Sequence, residues 1–351
     1  MNNMKAFIDK LERQRTLSKE EFVSLIDGRT SKLSEYLFEV ARRIRHENYG
    51  KNVYLRGLIE ITNYCRNDCY YCGIRKSNKK VSRYRLCLEE ILFCCKKGYD
   101  LGFRTFVLQG GEDGYYNDEV FLDIIREIKK CYPNCALTLS VGERSYESYK
   151  SFFDAGTDRF LLRHETANSL HYSRLHPAPL NLAKRKKCLT DLKAIGYQVG
   201  SGFMVGSPGQ TSAELAEDLL YLNELQPQMV GVGPFISCQD TPFASQPSGT
   251  AELTLFIIGL IRLMLPAALI PATTALETID PLGYEKGILA GANVIMQNLS
   301  PREVRKKYLL YDNKVCISDQ ESECWNAVQQ RIRQVGYQGV VDRGDFKEIN
   351  K

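Results

Sequence analysis

The chain lacks most of the features that assign a protein to a compartment or a partner at sight. Its start, Met1-Asn2-Asn3-Met4-Lys5, opens onto a polar helix and has no apolar signal core. No apolar run is long enough for a bilayer. The greasiest, residues 253–261, is interrupted by Arg262 and followed by Pro266, so a buried helix is expected there. These absences predict a cytoplasmic protein with no membrane partner. Charge of one sign is also scarce. A net +5 over 351 residues allows anionic ligands or a weakly basic surface and argues against dedicated nucleic-acid binding. The run Lys184-Arg185-Lys186-Lys187 is read as one wet face of a helix.

Cysteine, by contrast, is abundant, with twelve in the chain. A secreted disulfide framework is not expected in a long chain without a signal. Cys87, Cys94, Cys95, Cys131, Cys135, Cys188 and Cys238 show no coherent ligand spacing and are expected to pack as small core hydrophobes. Cys65, Cys69 and Cys72 differ. They stand at a C-x3-C-x2-C spacing on a loop just after an apolar strand. Zinc prefers four N/S ligands, often in paired C-x2-C units, and no fourth lies close by. A metal-free structural triplet is another reading. The favoured one is a [4Fe-4S] cluster, normally held by four cysteines, with one iron left open to a non-protein ligand. Tyr71 sets an aromatic ring beside that position.

In chain order, Ser18-x-x-Glu21 is a capping box opening a short helix that Gly28 stops. Thr30 starts a longer helix with Leu33, Tyr36, Leu37, Val40, Ala41 and Ile44 at a 3.6-residue period. Thereafter strands are expected at 53–61, 105–109, 136–141, 159–163, 198–204, 229–232, 269–272 and 293–296. Helices are expected between them, the last near 281–290. This predicts an α/β fold, a (β/α)8 TIM barrel over 52–300, with an N-terminal helical extension over 1–51 and a C-terminal cap or tail over 301–351. Active-site groups should lie at the strand C-termini. Polar and glycine-rich signals fall there at 65–72, 109–112, 138–143, 163–166, 204–211, 231–234 and 273–274.

The C-x3-C-x-aromatic-C loop after a first barrel strand resembles the signature of the radical S-adenosylmethionine (SAM) enzymes. That resemblance implies one [4Fe-4S] cluster on Cys65, Cys69 and Cys72, and SAM, cleaved reductively to a 5′-deoxyadenosyl radical. It implies SAM contacts from Tyr71, from Gly110-Gly111-Glu112 (the GGE motif), from Glu165 and Arg185, and from Met204 at the adenine. No catalytic side chain is implied beyond the cluster and the SAM site. For Glu165 the other reading is a helix N-terminal carboxylate, and for Arg185 a surface charge.

Longer blocks at 56–60, 108–113, 161–168 (LLRHETAN), 204–211, 230–235 (VGVGPF), 271–275 (PATTA) and 291–296 (GANVIM) resemble the HydE family of [FeFe]-hydrogenase maturases over residues 50–316. This implies a role in building the diiron subcluster of the hydrogenase H-cluster, on a small cysteine-ligated Fe(CO)2CN-type substrate. The implied partners are companion maturases and a reductant such as ferredoxin or flavodoxin. Thr138, Arg163, Thr273, Thr274 and Tyr311 match substrate-binding positions; the threonines could instead satisfy strand-end backbone groups. Two departures stand out. Cys316 and Cys324 match a second-cluster spacing, but Ala327 replaces the third cysteine, so no second [4Fe-4S] cluster is expected. Gly110 stands where some members have Ser. The rival readings are a radical SAM enzyme of the biotin synthase or methylornithine synthase type, a non-catalytic Fe-S carrier, and a zinc-binding barrel.

Overall fold

Residues 2–315 and 321–347 are described in the computed structural model. The strands are β1 (Asn52–Thr62), β2 (Thr105–Gly110), β3 (Ala136–Ser140), β4 (Arg159–Leu161), β5 (Gln198–Ser201), β6 (Met204–Val205), β7 (Met229–Val230), β8 (Gly233–Pro234), β9 (Pro271–Ala272), β10 (Val294–Asn298) and β11 (Gln338–Val340). The main sheet runs β7-β5-β4-β3-β2-β1-β10-β9, and each neighbouring pair is parallel. A parallel bridge between Met229 and Leu269 joins the two ends. Eight strands with intervening helices therefore form a nearly closed (β/α)8 barrel, the expected fold. Parallel strands are covered on both faces, which explains why ten of the eleven β1 residues are buried.

Two elements differ from the pattern read in the sequence. The strand expected over 198–204 is interrupted at Gly202, and β6 resumes beyond it to pair with β8. The helix expected near 281–290 is found at Gly283–Leu289, and a second, unexpected one, Thr274–Ile279, precedes it, with Pro281 in the break. Proline lacks an N–H and clashes with the preceding turn, so one continuous helix cannot run through it.

Ser18 and Glu21 form their reciprocal capping box at the start of helix Lys19–Asp27. Helix Ser31–Tyr49 packs on helix Ala251–Met264, which is buried along its length from Thr254. The second helix is apolar all round because it lies between the first and the barrel. Its Arg262 stays inside by bonding the carbonyls of Gly291 (2.8 Å) and Pro266 (2.7 Å) and Asn293 Oδ1 (3.1 Å). Burial pulls this guanidinium down to about 9. At the base, β11 pairs with the first residues of β1. Among the described residues, no helix is long and apolar enough to cross a membrane.

Candidate active site

The cysteine loop is shaped by side chains that hold backbone. Asn63 accepts from Tyr84 N–H (2.8 Å) and donates to the carbonyls of Ser82 (2.9 Å) and Lys307 (2.7 Å). Asp68 accepts from Arg75 Nε (2.7 Å) and Ser77 N–H (3.0 Å). Arg83 donates to the carbonyls of Asn63, Ile74, Arg75 and Asn78. Gly73 follows the third cysteine where segment 308–311 crosses the loop. Its N–H bonds Leu310 O at 2.8 Å, and a Cβ there would lie 2.2 Å from Leu309 O.

Cys65, Cys69 and Cys72 line one cavity of about 280 Å³ at the C-terminal mouth. Burial pushes all three thiols up, Cys69 to about 12, and the neighbouring sulfurs raise Cys69 and Cys72 further. Three thiolates so placed ionise together only if a cation is bound among them. Among the described residues, no three His, Cys, Asp or Glu side chains converge on a point suited to a single metal ion.

The other cavity walls come from strand ends. Gly111 packs against the cysteine loop so closely that a Cβ would sit 2.2 Å from Tyr64 O. Glu112 is held at the rim by Arg66 (Nε 3.0 Å, Nη2 2.8 Å) and by the Glu143 N–H (3.0 Å). Glu165 has φ +66°, the left-handed region that non-glycine residues rarely occupy. Its N–H bonds Gly202 O (3.1 Å) and its carbonyl accepts from Met204 N–H (3.4 Å). Its Oε2 lies 3.1 Å from Arg163 Nη2 without hydrogen-bond alignment. That oxygen, and Nε and Nη2 of Arg163, are buried without a hydrogen-bond partner among the described residues. Buried polar atoms are normally satisfied. These are therefore donors and acceptors available to a polar ligand.

Arg185 is buried, not a surface charge. It donates to Tyr172 Oη (3.2 Å) and Arg163 O (3.1 Å) and lies 3.2 Å from Glu143 Oε1. Burial alone would lower its pKa, but Tyr172, Glu143, Tyr71 and Glu165 outweigh it and keep it charged. The other members of the basic run also have partners: Lys184 with Glu143, Lys186 with the Ala167 carbonyl and Lys187 with Asp191.

Tyr71 is fixed by a residue the sequence did not single out. His176 Nδ1 lies 3.0 Å from Tyr172 O, which can only accept, so Nδ1 carries the proton. Burial pulls this ring down to about 3, so it is neutral. Its Nε2 must then accept, and the Tyr71 hydroxyl donates to it at 3.2 Å. Tyr172 stacks on His176 with centroids 4.0 Å apart. Tyr71, His176, Tyr172 and Arg185 thus form one connected wall.

Of the positions read from the sequence, Cys65, Cys69, Cys72, Tyr71, Gly110, Gly111, Glu112, Arg163, Glu165, Arg185, Met204, Thr273 and Tyr311 all line the mouth cavity. Thr138 lines a deeper chamber of about 120 Å³, which Arg163 and Thr273 share with Arg56 and Gln109. Thr138 Oγ1 has no partner there among the described residues. Thr273 Oγ1 instead caps helix Thr274–Ile279, accepting from Leu276 N–H at 3.3 Å. Thr274 lines neither chamber. Glu143, Tyr172, His176 and Tyr308 were missed. Glu143 falls within the strand-end stretch 138–143 but was given no role; the others carry no local signal. Cys316 lies outside the described residues, as does the Cys324 side chain. Ala327 is exposed on helix Glu321–Gln334.

Residues 59–222 match the Radical SAM superfamily model. The [FeFe] hydrogenase maturase subunit HydE of Thermotoga maritima is 42% identical over 342 residues, covering 97% of both chains. The 3-methylornithine synthase of Methanosarcina acetivorans is 29% identical, covering 80% of this chain and 79% of its own. The crystal structure of methylornithine synthase (PylB) superposes with a TM-score of 0.84 at 26% identity, covering 95% of this chain and 97% of that one. A matching domain, near-full-length identity and a common fold lead to one assignment: the chain is a radical SAM enzyme and belongs to the HydE family.

Proposed function

We propose that this enzyme acts in [FeFe]-hydrogenase maturation by working on a small cysteine-ligated iron carbonyl cyanide compound at the barrel mouth. Membership of the family implies a [4Fe-4S] cluster and SAM. The three cysteines suit the cluster. A single zinc ion at about 2.3 Å from each sulfur would need the thiols drawn onto one point, whereas a cluster gives each cysteine its own iron. When bound, cluster and SAM together supply a 5′-deoxyadenosyl radical.

The chain's own residues then have separable tasks. Arg185, buried and charged, attracts the SAM carboxylate, and Glu165 accepts hydrogen bonds from ribose hydroxyls. Met204 offers an apolar surface to the adenine. Glu112, anchored by Arg66 and Glu143 N–H, keeps acceptor capacity for the SAM amino group. Deeper in, Arg163 presents unmatched N–H groups and Thr138 an unmatched hydroxyl, a pairing that suits an amino-acid carboxylate. Tyr308, Leu310 and Tyr311 add apolar surface to the same cavity. The single observation carrying the reading is that Arg163 and Glu165, paired only with each other and without aligned hydrogen bonds at Arg163 Nε and Nη2 and Glu165 Oε2 among the described residues, converge on the cavity that the three thiols line. With Ala327 in place of a third cysteine, we further propose that the chain carries one cluster.

Three measurements test this. Anaerobically reconstituted wild type should hold about four irons per chain, and Cys69→Ala almost none. Eight irons would remove the one-cluster proposal; about one zinc without iron or sulfide would remove the cluster. With SAM and dithionite, wild type should form 5′-deoxyadenosine, and none formed by an intact cluster would point to a carrier. In cells lacking their own HydE, expression should restore hydrogenase. No rescue with SAM cleavage intact would favour a synthase of the methylornithine or biotin type.

A further inference from the structure

The turn that carries Glu165 is gripped from outside the barrel. Arg163 and Glu165 face the mouth cavity, while His164 between them is fully buried and lines neither chamber. Its ring packs edge-on against Tyr221 of helix Ser212–Leu225, with centroids 4.9 Å apart. Its Nδ1 lies 2.9 Å from Ser201 Oγ at the end of β5. Its Nε2 lies 3.3 Å from Oδ1 of Asp218, which stands on the same helix as Tyr221 and is also fully buried. That Oδ1 also accepts from Ala167 N–H. The preceding helix residue, Glu217, accepts from Asn168 Nδ2 at 2.8 Å. One helix therefore holds the turn at 164, 167 and 168, on both sides of Glu165. From the barrel side, Gly202 O and Met204 N–H hold the backbone of Glu165 itself.

Stability alone does not account for this grip. Burial pushes the Asp218 carboxyl up and pulls the His164 ring down, so each disfavours its own charge and the pair is neutral as a whole. His164 Nε2 and Asp218 Oδ2 have no aligned hydrogen-bond partner among the described residues. A buried pair of this kind costs desolvation, and apolar residues of similar volume often stabilise a fold as well or better. What the pair does supply is an acceptor for Ala167 N–H and a fixed place for the residue before Glu165. Glu165, at φ +66°, needs both, because a strained backbone persists only where its surroundings over-determine it.

We propose that Asp218 and His164 are positioning residues for SAM, locking the turn after β4 in the backbone form that aims the Glu165 carboxylate into the mouth cavity. They act through Glu165 and line no part of the cavity themselves. The inference rests on the contact with SAM proposed above for Glu165.

The test reads SAM affinity by equilibrium dialysis against the reconstituted protein, beside thermal denaturation and steady-state 5′-deoxyadenosine formation. Asp218→Ala removes the acceptor. Its Kd and KM for SAM should both rise about tenfold while kcat falls by less than about threefold, the pattern of lost binding that ground and transition states share. Asp218→Asn keeps an acceptor for Ala167 N–H and should hold the affinity within about twofold of wild type. Both should melt within about 5 °C of wild type. Ser201→Ala, which frees His164 Nδ1, should weaken SAM binding about threefold and decides the matter if Asp218→Ala does not fold. Glu165→Ala should cost at least about tenfold in affinity, and adding Asp218→Ala to it should cost no more, because two changes that remove one contact do not add. A loss in Glu165→Ala but not in Asp218→Ala or Ser201→Ala would overturn the positioning role, as would losses that multiply in the double variant. So would a lower melting temperature with the KM for SAM unchanged, which would make the pair structural. If Glu165→Ala itself binds SAM as wild type does, the contact proposed for Glu165 fails first and the positioning role goes with it.

Discussion

Strand β4 carries one arginine at its start and another just past its end, and the two are opposites. Arg159, at the base, is fully buried, and its guanidinium donates to Gln198 Oε1, Thr105 Oγ1, the carbonyls of Arg343 and Gly344, and Asp345 Oδ1. Arg163, at the mouth, leaves Nε and Nη2 unmatched. One strand thus ends in a completed network below and an incomplete one above. In barrels of this type the base serves stability and the strand C-termini serve chemistry. The contrast shows that division within five residues: complete satisfaction marks a structural role, and unmet donors in a cavity mark a binding one.

The largest effect should come from breaking the completed network. Arg159→Met keeps bulk but removes one of the two cations on the Asp345 carboxylate, which keeps Arg343, and takes the guanidinium donor from the Gly344 carbonyl. Asp345 is partly exposed and can rehydrate, so the loss should be about 3 kcal/mol, at the lower end for a buried ion pair. Urea denaturation measures it, and a change below about 1 kcal/mol would mean the base network does not stabilise the barrel. Arg163→Met should do the reverse. Only the unaligned, partly exposed pair with Glu165 is lost, so folding stability should fall by no more than about 1 kcal/mol. Substrate-dependent turnover should fall about 10- to 100-fold, as expected for losing a hydrogen bond to a charged group. Equal destabilisation by both substitutions would erase the distinction.

The same distinction explains what could be read without the structure. The barrel was legible because its alternation of strands and helices recurs along the chain. The cysteine triplet was legible because its spacing is local, and the mouth because Gly and polar residues cluster after each strand. The wall of Tyr71, His176, Tyr172 and Arg185 was not. It depends on a helix after β4 being laid beside a loop after β1, which no local pattern encodes. Thr138, Thr273 and Thr274 were read alike as strand-end threonines. Their roles diverge because Thr273 Oγ1 turns to a helix N-terminus, Thr274 begins that helix, and Thr138 Oγ1 has no partner among the described residues. Nor did sequence reveal the left-handed backbone of Glu165, because Glu has no preference for it.

That backbone gives the next, smaller test. A non-glycine residue at φ +66° costs roughly 1 kcal/mol, and the site retains it. Glu165→Gly should therefore raise stability by up to about 1 kcal/mol while weakening SAM binding, a gain and a loss from one change. Thermal denaturation gives the first quantity and equilibrium dialysis of SAM the second. If stability falls and SAM affinity holds, Glu165 belongs with Arg159 as a structural residue.

The smallest and finest separation lies within the deeper chamber, between two threonines lining the same 120 Å³. Thr273→Val removes a helix cap and should cost about 1 kcal/mol whether or not substrate is present. Thr138→Val removes a buried hydroxyl with no partner, so the free enzyme should be unchanged or more stable by about 0.5 kcal/mol. Its loss should surface only as a several-fold rise in substrate KM. Chemical denaturation of both variants, beside KM for each, distinguishes them. If Thr138→Val destabilises the free protein as much as Thr273→Val does, its hydroxyl supports the fold through a contact other than substrate, and unmet polar atoms cease to be a guide to binding in this barrel.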